Sequence, residues 1–132
     1  MIVVDTNIIT YLYIQGEHTA ETEAVLKKDP DWKVPILWRS EFRNVLAFYV
    51  RKKILSLELA LRIVSQAEEQ LKGNEYLVPS DQVLVLASRS RLSAYDCEFV
   101  ALAQELEVPF VTSDRKVISR FPTTAVAVKD FE

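Results

Sequence analysis

Hydrophobic and polar positions follow two different periods along the chain, and each period predicts a different kind of element. Short apolar runs, such as IVV at residues 2–4, are typical of buried parallel strands. Longer segments repeat apolar residues every three or four positions, as Leu59, Ile63, Ala67 and Leu71 do, and these predict helices. Strands are predicted at residues 2–4, 33–36, 75–78, 108–112 and 123–128. Helices are predicted around residues 8–12, 19–28, 38–53, 56–73, 81–90, 91–108 and 114–120.

The alternation of strands with helices predicts an α/β domain rather than an all-helical or all-strand protein. We expect one domain over residues 1–132, with three α/β/α layers around a central, mostly parallel sheet of four to five strands. Ser56 is expected to cap the fourth helix and Gly73 to end it. The chain contains no internal repeat and no linker-like tract.

An aspartate interrupts the apolar face of the helix predicted over RLSAYDCEFVALAQELEV, residues 91–108. Asp96 lines up with Val100 and Ala103 at helical spacing. Glu98 falls on the opposite side, where solvent is expected. An ionised carboxylate on a buried face is costly unless it is paired or binds a metal ion. The position of Asp96 therefore needs a chemical reason.

Three further acids are placed where they can meet Asp96. Asp5 ends the first predicted strand, and Asp114 follows the VPFVT strand by one residue. Glu41 lies near the start of the long third helix, in line with Val45. Ligands of a parallel α/β sheet gather at the carboxyl ends of its strands, where the strand order reverses. These acids are therefore expected to converge on one place.

Carboxylates brought together repel one another, and each raises the pKa of its neighbours. A bound divalent cation removes that penalty. Because the chain has one histidine and one cysteine, the available ligands are oxygens, which favour Mg²⁺ or Mn²⁺ over zinc. A metal centre is the physical explanation that we favour for Asp96.

Each acid also has a simpler explanation on its own. Asp96 lies three residues after Ser93, which is the spacing of a capping box. Asp5 and Asp114 are each placed to act as the N-cap of a following helix. Glu41 is placed to interact with the positive end of its helix dipole. Only the fold can show whether the four carboxylates meet.

Composition narrows the classes of function. The 132 residues are 49% hydrophobic and 27% charged, as in an ordinary globular domain, and the net charge of −3 argues against a general polyanion-coating protein. No apolar run approaches a membrane span, and MIVVDTN lacks the basic and long apolar regions of a signal peptide. Cys97 is the only cysteine, which excludes an intrachain disulfide and suits a reducing cytoplasm. With two glycines, the chain has no GxGxxG or P-loop motif.

Four stretches occur in the order of a known family. VVDTN opens the chain, SEFRNVL lies in its middle, and LSAYDCEFVALA and VTSD follow. Together they resemble the PIN domain and, in this compact form, the VapC-type toxin ribonucleases of toxin–antitoxin pairs. The resemblance covers nearly the whole chain, and the SAYDCEFVALA and TSD stretches are more specific than DTN alone.

The resemblance implies roles for particular positions. The family's four catalytic and metal-binding acids correspond to Asp5, Glu41, Asp96 and Asp114. Two polar positions near the metal correspond to Asn7 and Thr112. Cys97 stands where the family more often has alanine. The family's chemistry is Mg²⁺- or Mn²⁺-dependent hydrolysis of RNA, and its partners are an antitoxin protein and a second copy of the chain.

Basic residues flank the predicted site. Arg39 and Arg43 lie on either side of Glu41, and Arg115 and Lys116 follow Asp114, so all four are possible contacts of an RNA backbone. The basic stretch at residues 51–53 is better explained as a solvated helix end.

The first helix is apolar almost all round, with Ile8, Ile9, Tyr11, Leu12 and Tyr13. Core packing is the usual explanation for such residues, and a groove for an antitoxin peptide or a dimer surface is the alternative.

Two other classes of function place an aspartate after the first strand. Phosphatases of the haloacid dehalogenase type carry DxDxT, but Asn7 stands where the second aspartate is needed. A response-regulator receiver needs an aspartate at the end of its third strand, where this chain has Val78 and Pro79. The remaining alternative is a non-catalytic module that binds RNA or a protein, and the intact set of acids argues against it.

Overall fold

The computed structural model describes residues 1–131. The strands are β1 (Ile2–Val4), β2 (Trp32–Pro35), β3 (Glu75–Tyr76), β4 (Phe110–Thr112) and β5 (Ala125–Ala127). The α-helices are α1 (Thr6–Tyr13), α2 (Thr19–Lys28), α3 (Trp38–Arg51), α4 (Leu57–Gln70), α5 (Ser80–Ser90), α6 (Ala94–Leu106) and α7 (Arg115–Arg120), and a short 3-10 helix covers Val128–Asp130.

The strands form one parallel sheet with the order β3-β2-β1-β4-β5. The order runs backward through the chain as far as β1 and forward from β4, so it reverses between these two strands. Val4 of β1 pairs with Val111 of β4, which places the carboxyl ends of both strands side by side. The predicted parallel sheet and its point of reversal are therefore confirmed.

The two faces of the sheet bury different clusters because side chains alternate along each strand. Ile2 and Val4 pack in a cluster that contains Phe42 of α3. Val3 packs on the other face, in a cluster with Phe99 and with other residues of α6. Helices thus cover both faces, as the predicted three-layer arrangement requires.

Several predicted helices are longer than the observed ones, and those over residues 38–53 and 91–108 differ at backbone reversals. Arg91 has a φ of 64° and closes α5, so α6 begins only at Ala94, after its N-cap Ser93. Similarly, Lys53 has a φ of 60°, and α3 ends at Arg51. Left-handed residues of this kind are usually glycine or asparagine, so the sequence does not signal these ends.

The cap that the sequence predicts at Ser56 is present. The Ser56 hydroxyl accepts a hydrogen bond from the Leu59 amide at 3.1 Å and starts α4. That helix ends at Gln70, slightly before Gly73, whose φ of 82° places it in the following turn.

Across residues 1–131, no helix combines the length and the apolar character needed to cross a membrane.

Phe42 and Phe48 lie on the same helix but differ in burial, with exposed fractions of 0% and 51%. Phe42→Ala should lower the free energy of unfolding by about 3–5 kcal/mol, because it removes a buried ring and leaves a cavity. Phe48→Ala is the matched control and should change it by less than about 1 kcal/mol. Urea unfolding measures both variants, and equal losses would contradict the placement of Phe42 in the core.

Candidate active site

Asp5 lies at the carboxyl end of β1, against β4. Its amide donates to the Val111 carbonyl at 3.2 Å, and its carboxylate Oδ2 accepts a hydrogen bond from the Thr112 hydroxyl at 2.7 Å. Although Asp5 occupies the N-cap position of α1, its side chain makes no capping hydrogen bond. Burial raises the pKa of Asp5, the Thr112 hydrogen bond lowers it, and the charge of Asp96 raises it further. The amides of Thr6 and Asn7 at the start of α1 also lower the pKa of Asp5. The carboxylate therefore lies beside both the start of the helix and the other acids.

Thr112 connects Asp5 to Asp114. The Thr112 side chain is fully buried, and its hydroxyl also accepts a hydrogen bond from the Asp114 amide at 3.0 Å. Asp114 Oδ1 in turn accepts hydrogen bonds from the amides of Lys116 and Val117 at 2.9 and 3.4 Å, so Asp114 is the N-cap of α7. Its other oxygen, Oδ2, takes no part in these bonds and is free for a second role.

Glu41 reaches the same place from the first turn of α3. Its Oε1 accepts a hydrogen bond at 2.7 Å from the hydroxyl of Thr6, the residue that follows Asp5. Burial raises the pKa of Glu41, and the charges of Asp5, Asp96 and Glu98 raise it further. The carboxylate thus faces the other acids as well as the amino end of its own helix.

Asp96 completes the group from the first turn of α6. Its amide donates to the Ser93 hydroxyl at 3.1 Å, so Ser93 caps the helix as the sequence predicts. Burial raises the pKa of the half-buried Asp96 carboxyl, and the charge of Asp114 raises it further. The positive charge of Lys116 lowers it. The amide of Asp96 takes part in the helix cap, while its carboxyl faces other charged groups. The capping box and a metal centre are therefore compatible explanations for Asp96.

The arrangement gathers four carboxylates at the end of the sheet where the strand order reverses. Hard oxygen donors that raise one another's pKa fit Mg²⁺ or Mn²⁺, which commonly keep several water ligands. In the part of the chain that the structure describes, no three Asp, Glu, His or Cys side chains lie close enough together to hold a metal ion. A divalent cation here would therefore bind one or two of these carboxylates directly and keep water as its other ligands.

The other predicted site residues have different surroundings. Asn7 is exposed in the first turn of α1. Arg43 is also exposed, 4.0 Å from Glu68, and Arg115 and Lys116 are exposed beside Asp114.

Arg39, predicted as an RNA contact, is instead held in a structural ion pair. Its Nε and Nη2 donate to the two carboxylate oxygens of Glu75 at 2.6 and 2.8 Å. A further ion pair joins Arg39 to Glu68 at 3.3 Å, and Trp38 also donates to Glu75. This network ties α3 to β3 and uses the guanidinium that an RNA phosphate would need.

Two residues near the site were not predicted. Glu98 was assigned to the solvent side of its helix, yet it is half-buried, burial raises its pKa, and its charge acts on Glu41. A helical period cannot reveal this proximity, because it depends on how α6 lies relative to α3. Thr6 orients Glu41, and its only sequence signal is the hydroxyl between Asp5 and Asn7.

A separate groove of ≈ 620 Å³ lies at the other end of the sheet. It is lined by Pro109, just before β4, and by Thr124, just before β5, and it contains none of the four acids. It is therefore distinct from the candidate site.

The chain as a whole matches a known family. The chain matches the PIN domain family over residues 2–123. It belongs to that family. Ribonuclease VapC3 of Pyrobaculum aerophilum is 26% identical to this PIN domain over 124 residues, which span 92% of this chain and 95% of that protein. The resemblance predicted from the sequence is thus confirmed.

Solved structures share the fold of this PIN domain. The crystal structure of PAE2754 from Pyrobaculum aerophilum aligns with a TM-score of 0.77 and 22% identity, covering 97% of this chain and 90% of that one. A toxin–antitoxin complex from Klebsiella pneumoniae contains a chain that aligns with a TM-score of 0.71 and 16% identity, covering 97% and 98%. The three-layer architecture is therefore shared with these solved structures.

Asp96→Asn removes one negative charge from the site with little change of shape. In EDTA at about pH 7, it should raise the free energy of unfolding by up to about 1 kcal/mol, because it relieves repulsion among Asp5, Glu41 and the remaining acids. Burial and mutual repulsion raise the native pKa values of Asp5, Glu41 and Asp96, so the native protein binds more protons than the unfolded chain. The penalty is thus absent below about pH 4 and grows as the pH rises, so the gain should disappear on acidification.

The control for this prediction is Asp81→Asn, which changes an exposed aspartate in the first turn of α5. It should leave stability unchanged or slightly lower, because it loses only a favourable helix-dipole interaction. Thermal unfolding in EDTA over a range of pH compares the two variants. A stability of Asp96→Asn below that of the wild type at neutral pH would contradict mutual repulsion at the site.

Proposed function

We propose that this chain is a metal-dependent endoribonuclease that hydrolyses RNA phosphodiester bonds, as the toxin component of a toxin–antitoxin pair. The observation that carries the proposal is the convergence of Asp5, Glu41, Asp96 and Asp114 at the reversal of strand order, with no ion pair to neutralise them among residues 1–131. The name of the relative from Pyrobaculum aerophilum, a ribonuclease, supports the reaction class.

Asp5 and Asp96 are the proposed direct metal ligands. Glu41 would hold the metal through water, and Asp114 would be a looser ligand or part of a second metal position. When bound, Mg²⁺ or Mn²⁺ supplies Lewis acidity toward the phosphate and lowers the pKa of a bound water. The Thr112 hydroxyl fixes the orientation of Asp5, and the Thr6 hydroxyl fixes that of Glu41. Both carboxylates are thus held in place before substrate binds.

In the reaction that we propose, a water molecule attacks phosphorus in line with the bond that breaks. The water oxygen forms a bond to phosphorus while the bond from phosphorus to the 3′ oxygen breaks, which leaves a 5′-phosphate and a 3′-hydroxyl. A carboxylate outside the direct ligand set accepts the proton of the water, and the 3′ oxygen takes up a proton on leaving. Glu41 suits the acceptor role, because burial and neighbouring charges raise its pKa.

The proposed partners are an antitoxin protein and a second copy of the chain. In the first helix, Ile8 and Ile9 are 0% and 1% exposed and belong to the core, whereas Tyr11, Leu12 and Tyr13 pack against the core and stay partly exposed. A more extended apolar surface is the groove of ≈ 330 Å³ between α3 and α4, lined by Val50, Leu57 and Leu61 among others and flanked by arginines. This groove suits an amphipathic antitoxin segment with acidic residues at its edges.

The homodimer stays a prediction, as does a cytoplasmic location.

A non-catalytic binding module is the second candidate, and the observation that favours it is that, among residues 1–131, no three Asp, Glu, His or Cys side chains lie close enough together to hold a metal ion. The two candidates differ in whether the carboxylates do chemistry. RNA that is bound but not cut in the presence of Mn²⁺ would indicate the module.

Cleavage of labelled single-stranded RNAs by purified protein tests the proposal directly. Cleavage should require Mn²⁺ or Mg²⁺, stop in EDTA, and fall by about 100-fold or more in Asp96→Asn, because a direct ligand is lost. The control Asp81→Asn should cleave as the wild type does. A wild-type rate in Asp96→Asn, with its fold verified by circular dichroism, would refute the metal-site assignment.

A further inference from the structure

A basic groove adjoins the acidic site on one side. It lies between α7 and the loop that joins α5 to α6, and its volume is ≈ 400 Å³. The lining residues are Arg91, Leu92, Arg115, Lys116, Ser119 and Arg120. Four of the six are cationic and none is acidic, in a chain whose net charge is −3. Such a concentration of one sign of charge attracts anionic groups locally despite the overall charge.

The cations of this groove are not used to hold the fold together by ion pairs. Among residues 1–131, Arg91, Arg115, Lys116 and Arg120 take part in none of the ion pairs within 4.0 Å, whereas Arg39 is held by two carboxylates. Arg120 donates one N–H to the Ser90 carbonyl at 2.8 Å, which anchors its guanidinium across the groove. A guanidinium has five N–H donors, so most of them remain for a ligand.

The groove is continuous with the acidic site through the backbone on both of its walls. On one wall, Arg115 and Lys116 follow Asp114, and the Lys116 amide donates to Asp114 Oδ1 at 2.9 Å. On the other wall, Arg91 lies two residues before Ser93, whose hydroxyl caps the helix that carries Asp96. Each wall of the groove therefore lies within a few residues of an acid of the site, and the charge of Lys116 acts on Asp96.

We infer that this groove binds the phosphodiester backbone of single-stranded RNA on one side of the scissile bond, with Arg91, Arg115, Lys116 and Arg120 as the phosphate contacts. The inference rests on the proposed ribonuclease function and adds two residues, Arg91 and Arg120, from a loop and a helix end that sequence patterns did not link to the site. The groove lining has no aromatic residue on which a base could stack. Contacts of cations to phosphates position a strand without reading its sequence. The groove therefore holds and orients RNA, and base preference arises elsewhere.

The test is fluorescence anisotropy with a labelled, short uridine oligoribonucleotide in EDTA, where no metal contributes to binding and no cleavage occurs. The groove variant is Arg91→Gln/Arg115→Gln. The matched control is Lys53→Gln/Lys72→Gln, which removes the same charge from exposed positions elsewhere. Lys53 has a φ of 60° and Arg91 a φ of 64°, so both doublets contain one left-handed residue. Differences in net charge and in backbone conformation are thus largely cancelled.

The groove variant should bind the oligonucleotide about 10-fold more weakly than the control at low salt, because it loses two phosphate contacts. The slope of log K against log salt should be smaller by about 1.4, at about 0.7 for each contact to a single strand. Equal affinities and slopes for the two variants would overturn the inference. So would the absence of measurable binding by the wild type at low salt.

This result is independent of cleavage. If the wild type cuts RNA in Mn²⁺ but the two doublets bind RNA alike in EDTA, the groove is rejected and the proposed nuclease stands. If the groove variant alone loses affinity while no cleavage is seen, the groove stands and the nuclease function is rejected. The two proposals therefore fail in distinguishable ways.

Discussion

The hydrogen bond from Thr112 to Asp5 joins the topology of the sheet to the chemistry of its end. The two residues come from opposite ends of the chain, at the points where β4 and β1 finish, and their oxygens are 2.7 Å apart. The bond can form only because the strand order reverses there and makes these two strands neighbours. Once Asp5 is held, Thr6 is placed to orient Glu41, and the Thr112 hydroxyl receives the amide of Asp114.

The site is held together at an electrostatic cost. Burial raises the pKa of Asp5, Glu41 and Asp96, and each of these carboxyls also meets a neighbouring negative charge. A fold selected for stability alone would place a cation among them, as it does where Arg39 meets Glu75. The contrast between a neutralised pair at β3 and an un-neutralised group at β1 and β4 points to a ligand that supplies positive charge.

Much of this arrangement could be predicted from the sequence because it depends on local patterns. The runs of apolar residues located the strands, and Ser56 and Ser93 marked the starts of two helices. Asp96 stood out because it breaks the period of its own helix. The end of α3 and the separation of α5 from α6 at Arg91 were not predicted, since Lys53 and Arg91 adopt a conformation that usually belongs to glycine. The Arg39–Glu75 pair and the approach of Glu98 to Glu41 depend on tertiary packing between distant segments, which no periodicity contains.

The central claim is that four carboxylates of this PIN domain form a centre for a divalent cation, and calorimetric titration of Mn²⁺ into the purified protein tests it most directly. The account predicts saturable binding by the wild type at neutral pH and binding at least about 10-fold weaker in Asp96→Asn. It also predicts that Asp81→Asn, which alters an exposed aspartate away from the site, binds as the wild type does. A wild-type titration without heat of binding, or equal affinities in the wild type and Asp96→Asn, would contradict the claim.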